Sequence, residues 1–216
     1  MPKLSQRIVK PFLRVVLSGL FILPGLVSSA DSQVAQDYHM SIYKDVQGST
    51  DAIELFTKAE DKRVFFGVTC SLQSAMPLIQ VILFDDEIMS ETPKLLSIKL
   101  EIDGKTLTTE LQGIINVVND SEELSNKIRL EIVTKQGGSF QVLQETYKAL
   151  LINMQQGQVL KVAMSHRTLE AKEITFSLKG LKQLLQPNQS VCYRSENSRR
   201  SSNVIYIAYK LPGLVV

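Results

Sequence analysis

The chain of 216 residues carries 24 basic and 22 acidic side chains, which gives a formal net charge of +2. Four of the basic residues, Lys3, Arg7, Lys10 and Arg14, lie in the first thirty positions, so the rest of the chain has a net charge of −2. Nucleic-acid binding usually shows as a basic face or stripe, and a near-neutral charge gives no electrostatic reason to expect one. We therefore expect no nucleic-acid partner.

The first thirty residues have the three parts of a secretory signal peptide. The basic residues precede an apolar run at 15–27, and small residues follow at 28–30. A retained membrane anchor is the alternative, but the run contains Pro24 and is shorter than the roughly twenty apolar residues of a spanning helix. We predict cleavage after Ala30, a periplasmic or secreted location, and no stable membrane insertion afterwards.

Residues 31–193 suit one domain, because single domains commonly have about 100 to 200 residues. The segment 194–216 begins with Arg194 and a polar, serine-rich stretch at 195–203, SENSRRSSN, and continues with VIYIAYKL, a strand-like pattern. This last stretch either closes the sheet of the same domain or is an exposed recognition strand. The polar part contains Arg194, Arg199 and Arg200, a group more typical of a solvated loop than of a phosphate site.

Most of the chain after residue 50 has the composition and period of β-strands. Asp103-Gly104 separates two such runs and supplies the positive φ angles of a tight two-residue hairpin turn. In another run, Ile128, Leu130 and Ile132 alternate with charged residues and are predicted to face a core. The predicted strands are at 51–57, 63–70, 78–84, 95–102, 105–111, 127–134, 159–164 and 171–178.

One helix is predicted between Ser139, which can cap its start, and Gly157, which can end it. A second, short helical stripe follows residue 178, and Pro187 is expected to stop it. The apolar stripe of the first helix consists of Leu143, Tyr147, Leu150, Leu151 and Met154. Many short strands with few helices indicate a mainly β fold, either an antiparallel β-sandwich or a partly open barrel with one or two short helices.

The order of several motifs resembles that of small periplasmic proteins of Gram-negative bacteria. A strand cysteine, a strand ending in Ile102-Asp103-Gly104, a helix, the stretch GQVLKV at 157–162, the strand TFSLKGL at 175–181 and a closing cysteine follow one another. This order resembles the type VI secretion-associated accessory family, and ITFSLKGLKQLL alone resembles the invasion-associated locus B family. The resemblance covers 64–192 and implies an envelope protein with a β-sandwich fold and a non-enzymatic role.

No pattern of catalytic residues is present in the sequence. Nucleophilic hydrolysis needs a Ser or Cys beside a base, and the chain has only His39 and His166 and no Gly-x-Ser-x-Gly motif. Ser139 is more typical of a helix cap than of a nucleophile. The acidic pairs Asp85-Asp86-Glu87 and Glu122-Glu123 fall between strands, where acidic side chains are usually solvated. We predict no catalytic residues.

Metal and cofactor sites are not predicted either. Two isolated histidines and two distant cysteines do not give the short ligand spacings of a zinc site. The stretch 119–126, NDSEELSN, offers oxygen atoms but lacks the acidic alternation and the glycine of an EF-hand loop. Glycine-rich phosphate loops are absent from the sequence.

Cys70 and Cys192 are the only cysteines, and both follow the predicted leader. An exported protein folds where disulfides persist, and an even number leaves no thiol unpaired. A Cys70–Cys192 disulfide is the interpretation that we favour, and a free reactive thiol is the alternative.

Two functional hypotheses follow. The first is a periplasmic interaction protein, an accessory of the envelope or of a secretion system, that presents a strand edge or a loop face to a protein partner. The second is a secreted small-ligand-binding protein or enzyme whose site combines residues distant in sequence, such as Asp103, His166 and Glu170. The sequence defines neither the identity of the partner nor the oligomeric state.

Overall fold

The structure, a computed structural model, describes residues 31–120, 123–134 and 138–193. The predicted leader and the segment 194–216 lie outside the described residues. In the described part the strands are β1 Asp31–Ala35, β2 Tyr38–Lys44, β3 Thr50–Lys58, β4 Val64–Ser71, β5 Leu78–Phe84, β6 Lys94–Ile102, β7 Lys105–Thr106, β8 Leu111–Asp120, β9 Glu123–Ile132, β10 Val159–His166 and β11 Leu169–Ser177. The helices are α1 Phe140–Gln156 and α2 Leu181–Cys192, and a 3₁₀ turn spans Asp85–Glu87.

The strands form a single antiparallel sheet in the order β1-β2-β3-β4-β5-β9-β8-β6-β10-β11, with β7 paired to β6 alone. The sheet curls so far that β11, at one end of this order, contacts β3, near the other end. The fold is therefore mainly β, as predicted. Of the two predicted forms, the curled single sheet corresponds to the partly open barrel.

The hydrophobic core lies on the concave side of the sheet. Alternate residues of each strand point inward, and the largest of these side chains, Tyr38, Phe66 and Phe176, are almost completely buried. Helix α2 packs on β1 to β4, and α1 contacts α2 and β9. Because alternation sends every second side chain outward, the convex face of the sheet stays available for other contacts.

Most predicted strands are confirmed within a residue or two, and 78–84 coincides with β5. Ile128 and Leu130 are buried as predicted, and Ile132 packs against the core while partly exposed. The sequence analysis assigned no strand to β1, β2 or most of β8. β2 nevertheless alternates clearly, with Tyr38, Met40 and Ile42 buried.

The Asp103-Gly104 turn is confirmed, with φ angles of 49° and 80°. The strand predicted after it at 105–111 is wrong in length, because only β7 pairs with β6 there. The Asp103 carboxylate instead accepts hydrogen bonds from the amides of Gln158 and Val159, at 3.0 and 2.9 Å from Oδ1. The turn is therefore fixed to the start of β10.

The first predicted helix is confirmed together with both caps. The Ser139 hydroxyl accepts a hydrogen bond from the Val142 amide at 3.3 Å, and the Gly157 amide donates to the carbonyls of Asn153 and Met154. The stripe residues Tyr147, Leu150, Leu151 and Met154 are buried. Ser139 has a structural role as the helix cap.

The prediction that Pro187 ends the second helix is wrong, since α2 continues to Cys192. Proline removes one backbone donor from a helix, here the one that would reach the Gln183 carbonyl. One residue further on, the Asn188 side chain donates to the Leu184 carbonyl at 3.0 Å. Burial of Val191 and Cys192 holds the turn that follows the proline.

The Cys70–Cys192 disulfide is confirmed, with the two Cα atoms 4.8 Å apart. It joins the end of α2 to the end of β4 and closes a loop of 122 positions. Among the described residues, neither helix is long and apolar enough to cross a membrane.

Candidate functional site

A groove of about 990 Å³ lies between β11 and the outer face of β2, β3 and β4. We call it the seam groove, because it marks the place where the two ends of the curled sheet approach each other. The residues that matter most for its chemistry are His39, Phe56, Phe65, Glu173, Thr175 and Ser177. The seam groove thus combines an aromatic surface with one side of an edge strand.

The backbone of β11 presents hydrogen-bonding groups to this groove. The Leu178 amide donates to the Gln158 carbonyl at 2.8 Å, at the position that extends the Val159–Ser177 pairing. In an antiparallel pair the amide and carbonyl of one residue point to the same neighbour, and successive residues alternate. From Lys172 to Leu178, where the register with β10 is continuous, the even-numbered residues therefore bond to β10, and the odd-numbered ones direct both groups away from it.

The odd-numbered residues of this stretch are Glu173, Thr175 and Ser177. β11 has one neighbour in the sheet, and no backbone group within the described ranges hydrogen-bonds to the outward amides or carbonyls of these three residues. Unpaired backbone groups along an edge strand are a template for pairing with another strand.

Contacts at both ends hold β11 against the opposite side of the seam. At one end the Asp37 amide donates to the Lys179 carbonyl at 3.4 Å, which is the outward position that the alternation predicts. At the other end Lys172 binds Glu87 at 2.9 Å, and Lys62 binds the same carboxylate at 3.2 Å. Five residues of β11, 173–177, lie between these two contacts.

The other side of the groove belongs to a row of aromatic rings on the outer face of the sheet. His39 stacks on Phe56 with ring centroids 5.2 Å apart, and Phe56 meets Phe65 edge to face at 6.4 Å. The row continues to Phe84, and the Arg63 guanidinium lies 5.2 Å above that ring. Such rings bury apolar area and offer π faces to a ligand.

The Glu87 bridge predicts a pH dependence of stability. The hydrogen bond from Lys172, followed by that from Lys62, holds the pKa of Glu87 below its ordinary value. A carboxyl with a lowered pKa stabilises the fold above its unfolded pKa and loses that contribution as the pH falls through its folded pKa. Glu87→Gln is therefore expected to lower the free energy of unfolding by about 1 kcal/mol at pH 7 and by progressively less below about pH 4.

Urea titrations at pH 7 and at pH 3 measure this difference. Asp86→Asn is the matched control, because Asp86 is exposed and makes no ion pair with any residue of the described part. If the free energies of unfolding of Glu87→Gln and the parent differ by the same amount at both pH values, the charge of Glu87 does not have the proposed role.

Asp103, His166 and Glu170 do not form a common site. Asp103 lies beside Val159 at the start of β10, whereas His166 ends β10 and Glu170 follows in the next hairpin strand. Seven residues of extended strand separate the two places by about 23 Å. The His166 Nδ1 atom is 2.9 Å from the Thr168 hydroxyl within its own turn.

Asp85, Glu87 and Glu123 have ion-pair partners that the sequence did not reveal. Arg63 contacts Asp85 at 2.6 Å and Glu123 at 2.5 Å, and the hydrogen bonds that its guanidinium donates to Glu123 and then to Asp85 raise the pKa of Arg63. Glu123 begins β9 instead of lying in a turn, and Glu122 lies outside the described residues. These carboxylates fix the 3₁₀ turn to β4 and β9.

Within 119–126 the described residues belong to the β8–β9 hairpin. Asn126 is completely buried and holds the chain at 89–90: its Oδ1 accepts from the Met89 amide at 2.7 Å and its Nδ2 donates to the Ser90 carbonyl at 2.8 Å. In the ranges that the structure describes, no three His, Cys, Asp or Glu side chains come together as a metal site would need.

The sequence analysis did not identify the groove residues. Thr175 stood in a predicted strand, but the sequence does not show which strand lies at an edge. His39 was weighed as a catalytic base and as a zinc ligand, and its outward position beside Phe56 follows from the β2–β3 pairing. The alternation of β2 is visible in the sequence. It places His39 beside Phe56 only once the pairing register of β2 with β3 is known.

No protein-family model, no curated protein and no solved structure matches this chain. The geometry of the seam groove is therefore the main basis for a functional proposal.

Proposed function

We propose that the chain is an exported, non-enzymatic interaction protein of the cell envelope or of a secretion system, and that it binds an extended segment of a protein partner. The observation that carries this proposal is the outward backbone of Glu173, Thr175 and Ser177 inside the seam groove. The partner segment adds to β11 as a further strand.

Strand addition suits the chemistry of this groove. Backbone hydrogen bonds to an edge strand supply affinity without requiring a particular sequence, and neighbouring surfaces select the side chains. Here the selecting surface contains His39, Phe56 and Phe65. A partner segment that places apolar side chains over these rings and pairs its backbone with β11 satisfies both parts of the groove.

β11 is a better docking strand than β1, the other edge of the sheet. β1 has five residues against nine in β11. A short edge strand offers few backbone groups to a further strand. The seam groove, moreover, runs beside β11.

The compartment is supported by the leader pattern and by the disulfide, because structural disulfides persist in oxidising surroundings such as the periplasm or the exterior. The resemblance of 64–192 to periplasmic families leads to the same compartment and stays a prediction. The proposal needs no cofactor.

A proline at the centre of the edge tests strand addition. The Thr175 amide points away from β10, so Thr175→Pro removes a donor from the groove while it leaves the β10–β11 ladder complete. Thr175→Ala is the matched control, since it shortens the side chain and keeps the amide. The probe is a displayed library of random ten-residue peptides, selected on the parent protein and measured by biolayer interferometry.

Selected peptides are expected to bind the parent and Thr175→Ala with similar Kd values and to bind Thr175→Pro at least about ten-fold more weakly, which corresponds to about 1.4 kcal/mol. Circular dichroism melts establish that both variants are folded. Equal binding to the parent and to Thr175→Pro would refute strand addition at β11.

A further inference from the structure

We propose that the chain's own segment Val204–Leu211, VIYIAYKL, pairs with the open edge of β11 and occupies the seam groove until a partner displaces it. This inference rests on the same edge as the proposed function. It adds a regulatory element, because the partner then competes with a strand that is already tethered to the domain.

The groove has a composition that fits this segment. Its charged residues balance, with three acids and three lysines: Asp37, Glu60, Glu173, Lys58, Lys62 and Lys179. A groove without excess charge and with aromatic rings favours an apolar strand that is nearly neutral. Val204–Leu211 has seven apolar residues and a single charge, on Lys210.

The segment also requires burial. Windows of five to seven residues with high β propensity, little charge and no proline aggregate when they are exposed. An open edge strand carries the same hazard. Pairing the two within one molecule removes both hazards at once.

The chain is long enough for this pairing. α2 begins at Leu181, two residues after Lys179 in the groove wall, and its twelve residues carry the chain about 18 Å away to Cys192. Residues 194–203 then provide ten residues, which extend up to about 33 Å. Val204–Leu211 as a strand spans about 23 Å, the same length as the eight residues from Lys172 to Lys179.

The tether favours the chain's own segment over that of a second copy. A short flexible linker gives an effective concentration in the millimolar range. A second copy at micromolar concentration competes poorly with such a segment. The protection of the β11 edge should therefore be independent of protein concentration.

Amide hydrogen exchange measured by NMR on the exported chain, residues 31–216, tests the pairing directly. Glu173, Thr175 and Ser177 have outward amides, and Ile174 and Phe176, whose amides bond to β10, serve as internal references. The test variant is Tyr206→Pro with Ile207→Pro, which removes a donor whichever alternate set of residues faces β11. Ser201→Pro with Ser202→Pro places the same residues in the linker and is the control.

In the parent and in the linker control, the outward amides are expected to exchange at least about ten-fold more slowly than in the test variant, while the reference amides exchange alike in all three. Equal exchange of the outward amides in parent and test variant would overturn the inference. Protection that increases with protein concentration would also overturn it, because a second copy would then be the occupant.

The peptide selection separates this inference from the proposed function. If both are correct, selected peptides bind the test variant more tightly than the parent, because the competing strand is gone. Selected peptides could instead bind the parent and the test variant equally and bind Thr175→Pro weakly. That result would refute the occupation of the groove by Val204–Leu211 and would still support strand addition at β11.

Discussion

Gly180→Ala is expected to lower the free energy of unfolding by about 4 kcal/mol, because two effects act at one position. Gly180 precedes α2 with a φ of 94°, a conformation that L residues adopt at a cost. A Cβ atom there would also overlap the carbonyl oxygen of Ala35 and lie 2.7 Å from its carbonyl carbon. Both atoms belong to the backbone of Ala35, which cannot rotate away as a side chain can. Either β1 or α2 must therefore shift.

The shift would also disturb the seam groove. Ala35 leads into the turn whose Asp37 amide binds the Lys179 carbonyl, one of the two contacts that hold β11. We expect the melting temperature to fall by about 10 °C, which differential scanning calorimetry measures.

Gly48→Ala is the matched control for this prediction. Gly48 has a similar φ of 82°, but a Cβ atom there meets nothing within 4 Å. Gly48→Ala should therefore lower the free energy of unfolding only by the cost of a positive φ angle, about 1 kcal/mol. A Gly180→Ala variant that is no less stable than Gly48→Ala would show that the close approach to Ala35 is not rigid.

Local features of the fold were predictable from the sequence, because neighbouring residues determine them. β5 was predicted residue for residue, the Asp103-Gly104 turn follows from its positive φ angles, and Ser139 and Gly157 cap α1 as expected. Each of these depends on a period or on a conformational preference that a short stretch contains.

Features that depend on contacts between distant parts of the chain were not predictable. The passage of α2 through Pro187 depends on burial of Val191 and on the disulfide, which are tertiary effects. The Asp103-Gly104 turn was predicted correctly, but the length of the strand after it was not. Asp103 also binds the start of β10, a contact that the local sequence does not show.

The seam groove shows the same limit for function. His39, Phe56 and Thr175 come together because the sheet curls until β11 reaches β3. The amide direction of Thr175 depends on the register of β10 with β11. The spacing of residues along the sequence reveals neither the curl of the sheet nor the direction of the Thr175 amide. The sequence could therefore suggest binding at a strand edge without showing which edge would be used.

The disulfide has the largest expected effect on stability. Cys70 and Cys192 close a loop of 122 positions, and on the chain-entropy model such a cross-link stabilises the folded state by up to about 4 to 5 kcal/mol. Both residues are buried and join the last turn of α2 to β4. Loss of the link is therefore expected to release α2 from the sheet before the barrel itself unfolds.

Cys70→Ala with Cys192→Ala should accordingly lower the unfolding midpoint in urea and weaken the hydrogen-exchange protection of α2 more than that of β4. The parent protein in reductant is the matched control, because it loses the cross-link but keeps both sulfur atoms in the core. A similar loss in the two samples assigns the effect to the cross-link, and a larger loss in the double variant measures the packing of the sulfur atoms. A reduced parent with an unchanged midpoint would show that burial of Leu181, Leu184 and Leu185 suffices to hold α2 in place.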